Sequence, residues 1–229
     1  MAIFESSFEG ENDNFTAEFT GEIKAGDGEG TVETLHPQRG TKNAKFSASQ
    51  AGSKAYAYKT IADQTEVYGR AYVQFSAFPS ADTKRTMLLN LKDNADAIDA
   101  CFLDIYNDSG TLKWRLTYGT DAGMVTAQYD GALQPPALNV YFCFEIYYKR
   151  ATSNVASDGK VKLWVNGDLL INLSNIDNYD DVPKTDQFQV GNLYQNWAAA
   201  LDVYADCCVV DSSHIGILAS KRKLLRVGK

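Results

Sequence analysis

Apolar and polar residues alternate with a period of two along most of the chain. In 140–149, Val140, Phe142, Phe144, Ile146 and Tyr148 share one side of an extended backbone, and Tyr141, Cys143, Glu145, Tyr147 and Lys149 share the other. In 67–75, Val67, Ala71, Val73 and Phe75 oppose Tyr68, Arg70, Tyr72 and Gln74. In 111–118, Leu112, Trp114, Leu116 and Tyr118 oppose Lys113, Arg115 and Thr117, and in 160–166, Val161, Leu163 and Val165 oppose Lys162, Trp164 and Asn166. This spacing predicts strands with one face in a core and the other in water. The segments 97–106 and 201–210 are apolar on both sides, as covered strands would be. No segment holds a helical period beyond about two turns; the best helical candidate is 217–226.

Turn signals punctuate these runs at Asp27-Gly28, Ser109-Gly110, Asp158-Gly159 and Asn166-Gly167. Asn166-Gly167, set between two apolar runs, predicts a two-residue hairpin, because both residues accept positive φ. Pro135-Pro136 breaks the chain before the strongest strand. Roughly a dozen or more short strands without helices between them predict an all-β protein, a two-sheet antiparallel β-sandwich or jelly roll. No internal repeat or Pro/Gly/Ser linker divides the chain. The expected organisation is one domain over 1–216 and a short basic tail over 217–229.

Composition narrows the partners. Of 229 residues, 22 are basic and 29 acidic, for a net charge of −7. Five of the basic residues, Lys221, Arg222, Lys223, Arg226 and Lys229, stand at the C-terminus. The remaining body is acidic, which disfavours nucleic acid, whose phosphates need concentrated positive charge. The tail could dock on an acidic protein surface, or simply be a solvated terminus. No apolar run approaches the roughly 20 residues of a membrane span. The N-terminus lacks the basic and apolar stretches of a secretion signal. Cytosolic folding is therefore expected, followed by delivery to a virion or an extracellular surface, with a secreted module cloned without its leader as the alternative. Cys101, Cys143, Cys207 and Cys208 form no Cys-x-x-Cys and lie in apolar runs, so buried, reduced thiols are expected. Cys207 and Cys208, adjacent on a strand, point to opposite faces.

Several segments carry a family resemblance. They run in order from Phe4-Glu5-Ser6-Ser7-Phe8-Glu9-Gly10 through Ala44-Lys45-Phe46 to Val67-Tyr68-Gly69-Arg70-Ala71-Tyr72-Val73. Phe144-Glu145-Ile146-Tyr147-Tyr148 and Val161-Lys162-Leu163-Trp164-Val165-Asn166-Gly167 follow, and Val203-Tyr204-Ala205-Asp206-Cys207-Cys208-Val209-Val210 with Ile215-Gly216 close the series. In that order the chain resembles the concanavalin A-like lectin/glucanase jelly rolls, laminin-G-like in character. The resemblance implies lectins, carbohydrate-binding modules, glycosidases, polysaccharide lyases, adhesion modules and virion proteins as relatives, so fold does not choose function. It also implies one structural calcium ion, at positions matching Glu9 and Asp206, although the doubled Asp usual in the last core strand is Asp206-Cys207 here. Asn175 to Asp181 also concentrates oxygen ligands.

Catalytic signatures are weak. Paired carboxylates for glycoside cleavage sit about 5 Å apart in retaining enzymes, and no Glu-x-Asp-x-x-Glu supplies them. Asp99 and Asp104 are expected on opposite faces of a regular strand. The Gln-Ile-His of alginate lyases is absent, and the two histidines, His36 and His214, are expected in solvated loops or capping roles. The wet faces offer instead Tyr68, Arg70, Tyr72 and Gln74, then Glu145 and Tyr147, then Trp164, which form one patch if their strands are neighbours. The loop with Tyr194, Asn196 and Trp197 is a second candidate contact. Trp114, flanked by Leu112 and Leu116, is expected in the core. The leading expectation is a non-catalytic surface-binding module that recognises a polysaccharide or cell-surface glycan, or docks on protein subunits of a larger assembly. A phage or viral decoration, fibre or adhesion subunit is one form of it. The alternative is a polysaccharide lyase or glycosidase.

Overall fold

The computed structural model describes residues 2–130, 138–180 and 184–218. Among them are fifteen strands and no helix. They form two antiparallel sheets packed as a β-sandwich of jelly-roll type. The eight-stranded sheet runs β13 (Asp168–Ile176), β12 (Gly159–Val165), β11 (Phe142–Lys149), β6 (Glu66–Phe75), β15 (Leu201–Asp211), β4 (Asn43–Ala48) and β3 (Glu29–Glu33), with β1 (Phe4–Ser6) paired to the far end of β15. The seven-stranded sheet runs β10 (Gly123–Gln128), β9 (Thr111–Thr120), β8 (Ile98–Asp108), β7 (Arg85–Asp93), β14 (Thr185–Gln195), β5 (Lys54–Gln64) and β2 (Gly21–Ala25).

The alternating residues supply the core. Val67, Ala71, Val73 and Phe75 of β6, Phe144, Ile146 and Tyr148 of β11, and Val161, Leu163 and Val165 of β12 are buried against Leu89, Leu91, Leu103, Ile105, Leu116, Phe188 and Val190 of the opposite sheet. Trp114 lies in this core with its ring 4.8 Å from that of Phe144. Gly69 allows the close approach of Phe188, since a Cβ there would meet the Phe188 ring at 3.0 Å. β11 begins only at Phe142, so Val140 is exposed and Phe142 half-buried, short of the full burial that alternation predicts.

Asn166 (φ 53°) and Gly167 (φ 90°) make the predicted hairpin between β12 and β13, with the positive dihedrals of a type I′ turn. Ser109-Gly110 does the same between β8 and β9. Asp158-Gly159 instead marks the start of β12. Pro135-Pro136, and nearly all of both the basic tail and the 217–226 helical candidate, lie outside the described residues; Ile217 and Leu218 are not helical. The four cysteines are free and buried. Cys207 (φ 50°) sits in a bulge of β15 that sends its side chain to the outer face, next to Tyr72 and Cys143, while Cys208 enters the core.

Candidate functional site

The predicted aromatic and polar patch is assembled on the outer face of the eight-stranded sheet. β6, β11 and β12 are neighbours, and their register sets Glu145 opposite both Arg70 and Trp164, and Tyr147 opposite Tyr68. Tyr68 lies 4.4 Å from Tyr147 and 6.1 Å from Trp164, ring centre to ring centre. The expectation that this face is wet is wrong. Arg70, Tyr72, Gln74, Glu145 and Tyr147 are buried, and only Tyr68 and Trp164 keep partial exposure.

Two segments cover the face. After β15, residues 212–218 return across it as a strap without a ladder partner. Ile215 and Gly216 donate their N–H groups to the Glu145 carboxylate, both at 2.8 Å. Arg70 Nη1 donates to the Gly216 carbonyl at 2.8 Å, and the Leu218 N–H donates to the Tyr72 hydroxyl at 2.8 Å. The His214 ring rests 4.7 Å from that of Trp164. Burial under this cover pushes the Tyr72 hydroxyl up to about 12. The second cover is the loop 34–42. Asp206 Oδ2 accepts the N–H groups of Gln38 and Arg39 at 2.9 Å, and Glu9 accepts those of Thr41 and Lys42 at 2.6 and 2.9 Å. His36, also in this loop, takes a 2.7 Å contact from Glu33 and lies 4.5 Å from the Tyr204 ring.

Glu9 and Asp206 therefore hold one loop from two ends with amide donors. As placed they do not fit a shared calcium ion. Their oxygens are directed at N–H groups. Among the described residues no group of three or more His, Cys, Asp or Glu is arranged to hold a metal. Burial raises the Asp206 carboxyl above the usual carboxylate range, against the pull of those amide bonds.

The second predicted contact loop divides. Trp197 is a core residue: it is 5% exposed, and its indole N–H donates to Thr86 Oγ1 at 2.9 Å. Asn196 pins the start of β7, accepting the Arg85 N–H at 2.7 Å. Tyr194 points outward on the seven-stranded sheet, with the Arg85 guanidinium 5.5 Å from its ring.

That outer face holds the chemistry sequence reading missed. Register aligns Thr126, Thr117, Phe102, Asn90, Gln189 and Tyr58 across six neighbouring strands, a row of about 24 Å at the usual strand spacing. Asn90 donates to Asp99 at 2.6 Å and to Gln189 at 3.1 Å, and its Oδ1 is left without a partner. Beside this row, Arg115 grips Asp104 with two bonds, at 2.9 and 2.8 Å, and stacks on Tyr106 at 3.7 Å, while Arg85 reaches the same carboxylate at 3.3 Å. Two guanidinium groups thus share one buried carboxylate. Asp99 and Asp104, expected on opposite faces, share this face. Ala100 is an extra residue in the ladder, between the pairs Leu91 with Cys101 and Lys92 with Asp99, and it reverses the alternation. The bonds of these side chains run between strands of the same sheet, and none of them goes to a covering segment. Burial, with Asp99 nearby, raises the Tyr56 hydroxyl, so that side chain keeps its proton. The signal was available in sequence: Gln187 and Gln189 alternate with the core residues Phe188 and Val190.

No family model matches the chain, and no curated protein matches it. Solved structures do. An endo-β-1,4-glucuronan lyase from the fungus Trichoderma reesei aligns with a TM-score of 0.66 at 16% identity, over 93% of this chain and 96% of that one. The cellulose-induced protein Cip1 aligns with 0.63 at 17% identity, over 94% of this chain and 100% of that one. The binding domain of botulinum neurotoxin serotype G aligns with 0.57 at 9% identity, over 94% of this chain and 49% of that one. At these identities the likeness is one of fold.

Proposed function

We propose that this β-sandwich is a carbohydrate-binding protein that takes a polysaccharide across the strands of its seven-stranded sheet. The carrying observation is the row from Thr126 to Tyr58, flanked by Arg85, Arg115 and Tyr194. Amide and hydroxyl groups suit sugar hydroxyls, and aromatic faces suit the apolar faces of pyranose rings. The row is open at Thr126 and partly open at Tyr58, while Asn90 between them is buried, and a sugar hydroxyl would satisfy its unpartnered Oδ1 only after its side chain shifts. Proteins that share this fold include a glucuronan lyase and, over 44% of its chain, botulinum neurotoxin type C, whose cell entry depends on interaction with two ganglioside molecules; both support a glycan partner.

Binding without catalysis is the preferred reading. Neither histidine belongs to this face, since His36 and His214 pack on Tyr204 and Trp164 of the other sheet. Burial and the nearby Asp99 raise the Tyr56 hydroxyl, which works against its acting as the base that removes a sugar proton. Docking on protein subunits, as in a virion, is the other binding form. Retention on a panel of immobilised polysaccharides tests the proposal, with Asn90→Ala and Tyr194→Ala as variants. Retention by the parent protein, reduced about tenfold or more in both variants while both still unfold cooperatively above the assay temperature, supports it. No retention on any polysaccharide removes the glycan reading. Steady release of unsaturated or reducing ends would make the protein an enzyme.

A further inference from the structure

Arg70 is 4% exposed and enters no ion pair among the described residues. Its Nη1 has the Gly216 carbonyl at 2.8 Å, its Nη2 reaches the Cys207 carbonyl only at 3.4 Å, and its Nε has no partner. Glu145 stands directly across the ladder, yet both its oxygens are occupied by strap N–H groups. Two side chains suited to pair with each other bind the strap's main chain instead. A buried guanidinium whose hydrogen bonds go only to carbonyl oxygens, with the Tyr72 ring 5.7 Å away, lacks the bonded counter-charge that burial normally requires. The poorly satisfied edge, Nε with Nη2, is the edge that matches the two oxygens of a carboxylate.

A cleft of about 670 Å³ lies alongside, walled by Arg70, Arg39, Ser6, Ser7, Cys207 and the strap residue Leu218, within the size range of small-molecule sites. Arg39 is exposed, and the Asp206 bond to its N–H fixes its loop at the cleft. Glu5, Glu9 and Glu18 also border it. Glu9 and Glu18 are engaged by Thr41 and Lys42, and by Phe8 and Gly10. Carboxylates at the rim repel anions, doubly charged ones the more strongly, so a single negative charge met directly by the arginine suits the cleft best.

We propose that Arg70 anchors a ligand site, separate from the seven-stranded face, for a singly charged carboxylate, and that the Leu218 end of the strap lifts to admit it. The Nε atom is sealed from solvent in the closed arrangement, and Leu218, beyond the doubly held Gly216, is tied to the sheet by one main-chain bond, to the Tyr72 hydroxyl. Binding at Nε and Nη2 therefore replaces the 3.4 Å contact to the Cys207 carbonyl with a charge-paired one and leaves the Gly216 carbonyl on Nη1.

The test titrates acetate and glucuronate into the full chain and follows the amide resonances and hydrogen exchange of Ile215, Gly216 and Leu218. Both carboxylates should give saturable shifts. The Leu218 amide should exchange about tenfold faster or more once it leaves the Tyr72 hydroxyl. Arg70→Lys keeps the charge but loses the fork, and should bind at least about tenfold more weakly. Arg70→Gln should not bind, and if that variant does not fold, Arg70→Lys alone decides. Tighter binding of glucuronate than acetate would assign the ligand to sugar acids. The proposal is overturned if neither carboxylate gives a saturable shift, if Arg70→Lys binds as well as the parent, or if glucose or sulfate saturates the same resonances.

Discussion

Glu145 Oε2 accepts the main-chain N–H of Gly216 at 2.8 Å, across 71 residues of sequence. The carboxylate is 2% exposed, and its other oxygen takes the N–H of Ile215. One buried side chain thus holds residues 215 and 216 as a cover over the sheet. Hydrogen bonds to a charged acceptor are worth more than neutral ones. Glu145→Gln keeps the shape but presents an NH2 group to one of the two donors. It should cost about 2 kcal/mol of stability and speed amide exchange at Ile215 and Gly216. Unchanged exchange at both amides would mean the strap is held by other contacts.

Trp197 and Trp164 separate by environment. Trp197→Ala should cost about 3–5 kcal/mol, the usual loss for a buried large aromatic, because it empties core volume and leaves Thr86 without its indole donor. Trp164→Ala should cost only about 1 kcal/mol, the scale of a ring contact, since Trp164 is partly exposed and meets mainly Tyr68 and His214. Chemical denaturation of both variants checks the contrast, and equal losses would contradict it.

Stability should decline in alkali. Burial lifts the Cys143 thiol to about 11 and the Cys207 thiol to about 12, from an ordinary value of 9.0. Once the pH passes that ordinary value, the unfolded chain releases these protons while the folded chain keeps them. The folded state then holds more protons, so stability falls as pH rises. Below about pH 8 both states are protonated and the thiols contribute no slope. Urea midpoints measured from about pH 7 to about pH 10 should fall at the alkaline end, and less so in Cys143→Ala. A midpoint that stays level in alkali would refute the burial of these thiols.

Calcium should leave the melting temperature unchanged, because the oxygens of Glu9 and Asp206 are directed at loop amides. A ligand of the folded state raises that temperature by mass action. A rise on adding calcium, reversed by chelator and lost in Asp206→Asn, would establish an ion site in this loop.

The alternation of apolar residues determined by itself that the chain would be two antiparallel sheets, and which residues would fill the space between them. Phe144, Leu163 and Val165 are buried as their spacing demands, and Asn166-Gly167 turns where its tolerance of positive φ allows. These are local properties: a strand's two faces follow from a period of two, and a tight turn from two adjacent residues. Tertiary structure decided which polar face meets water. Tyr72, Glu145 and Tyr147 have the alternation of solvent-facing residues, but a strap and a loop from distant parts of the chain lie over their sheet. Asp99 and Asp104 share a face only because pairing with β7 leaves Ala100 as an extra residue. Trp197, read as a surface aromatic, found a core position and a partner on β7. Periodicity specifies how side chains are shared between two sides of a strand, whereas cover, bulges and register depend on contacts between segments far apart in sequence, which no local pattern encodes.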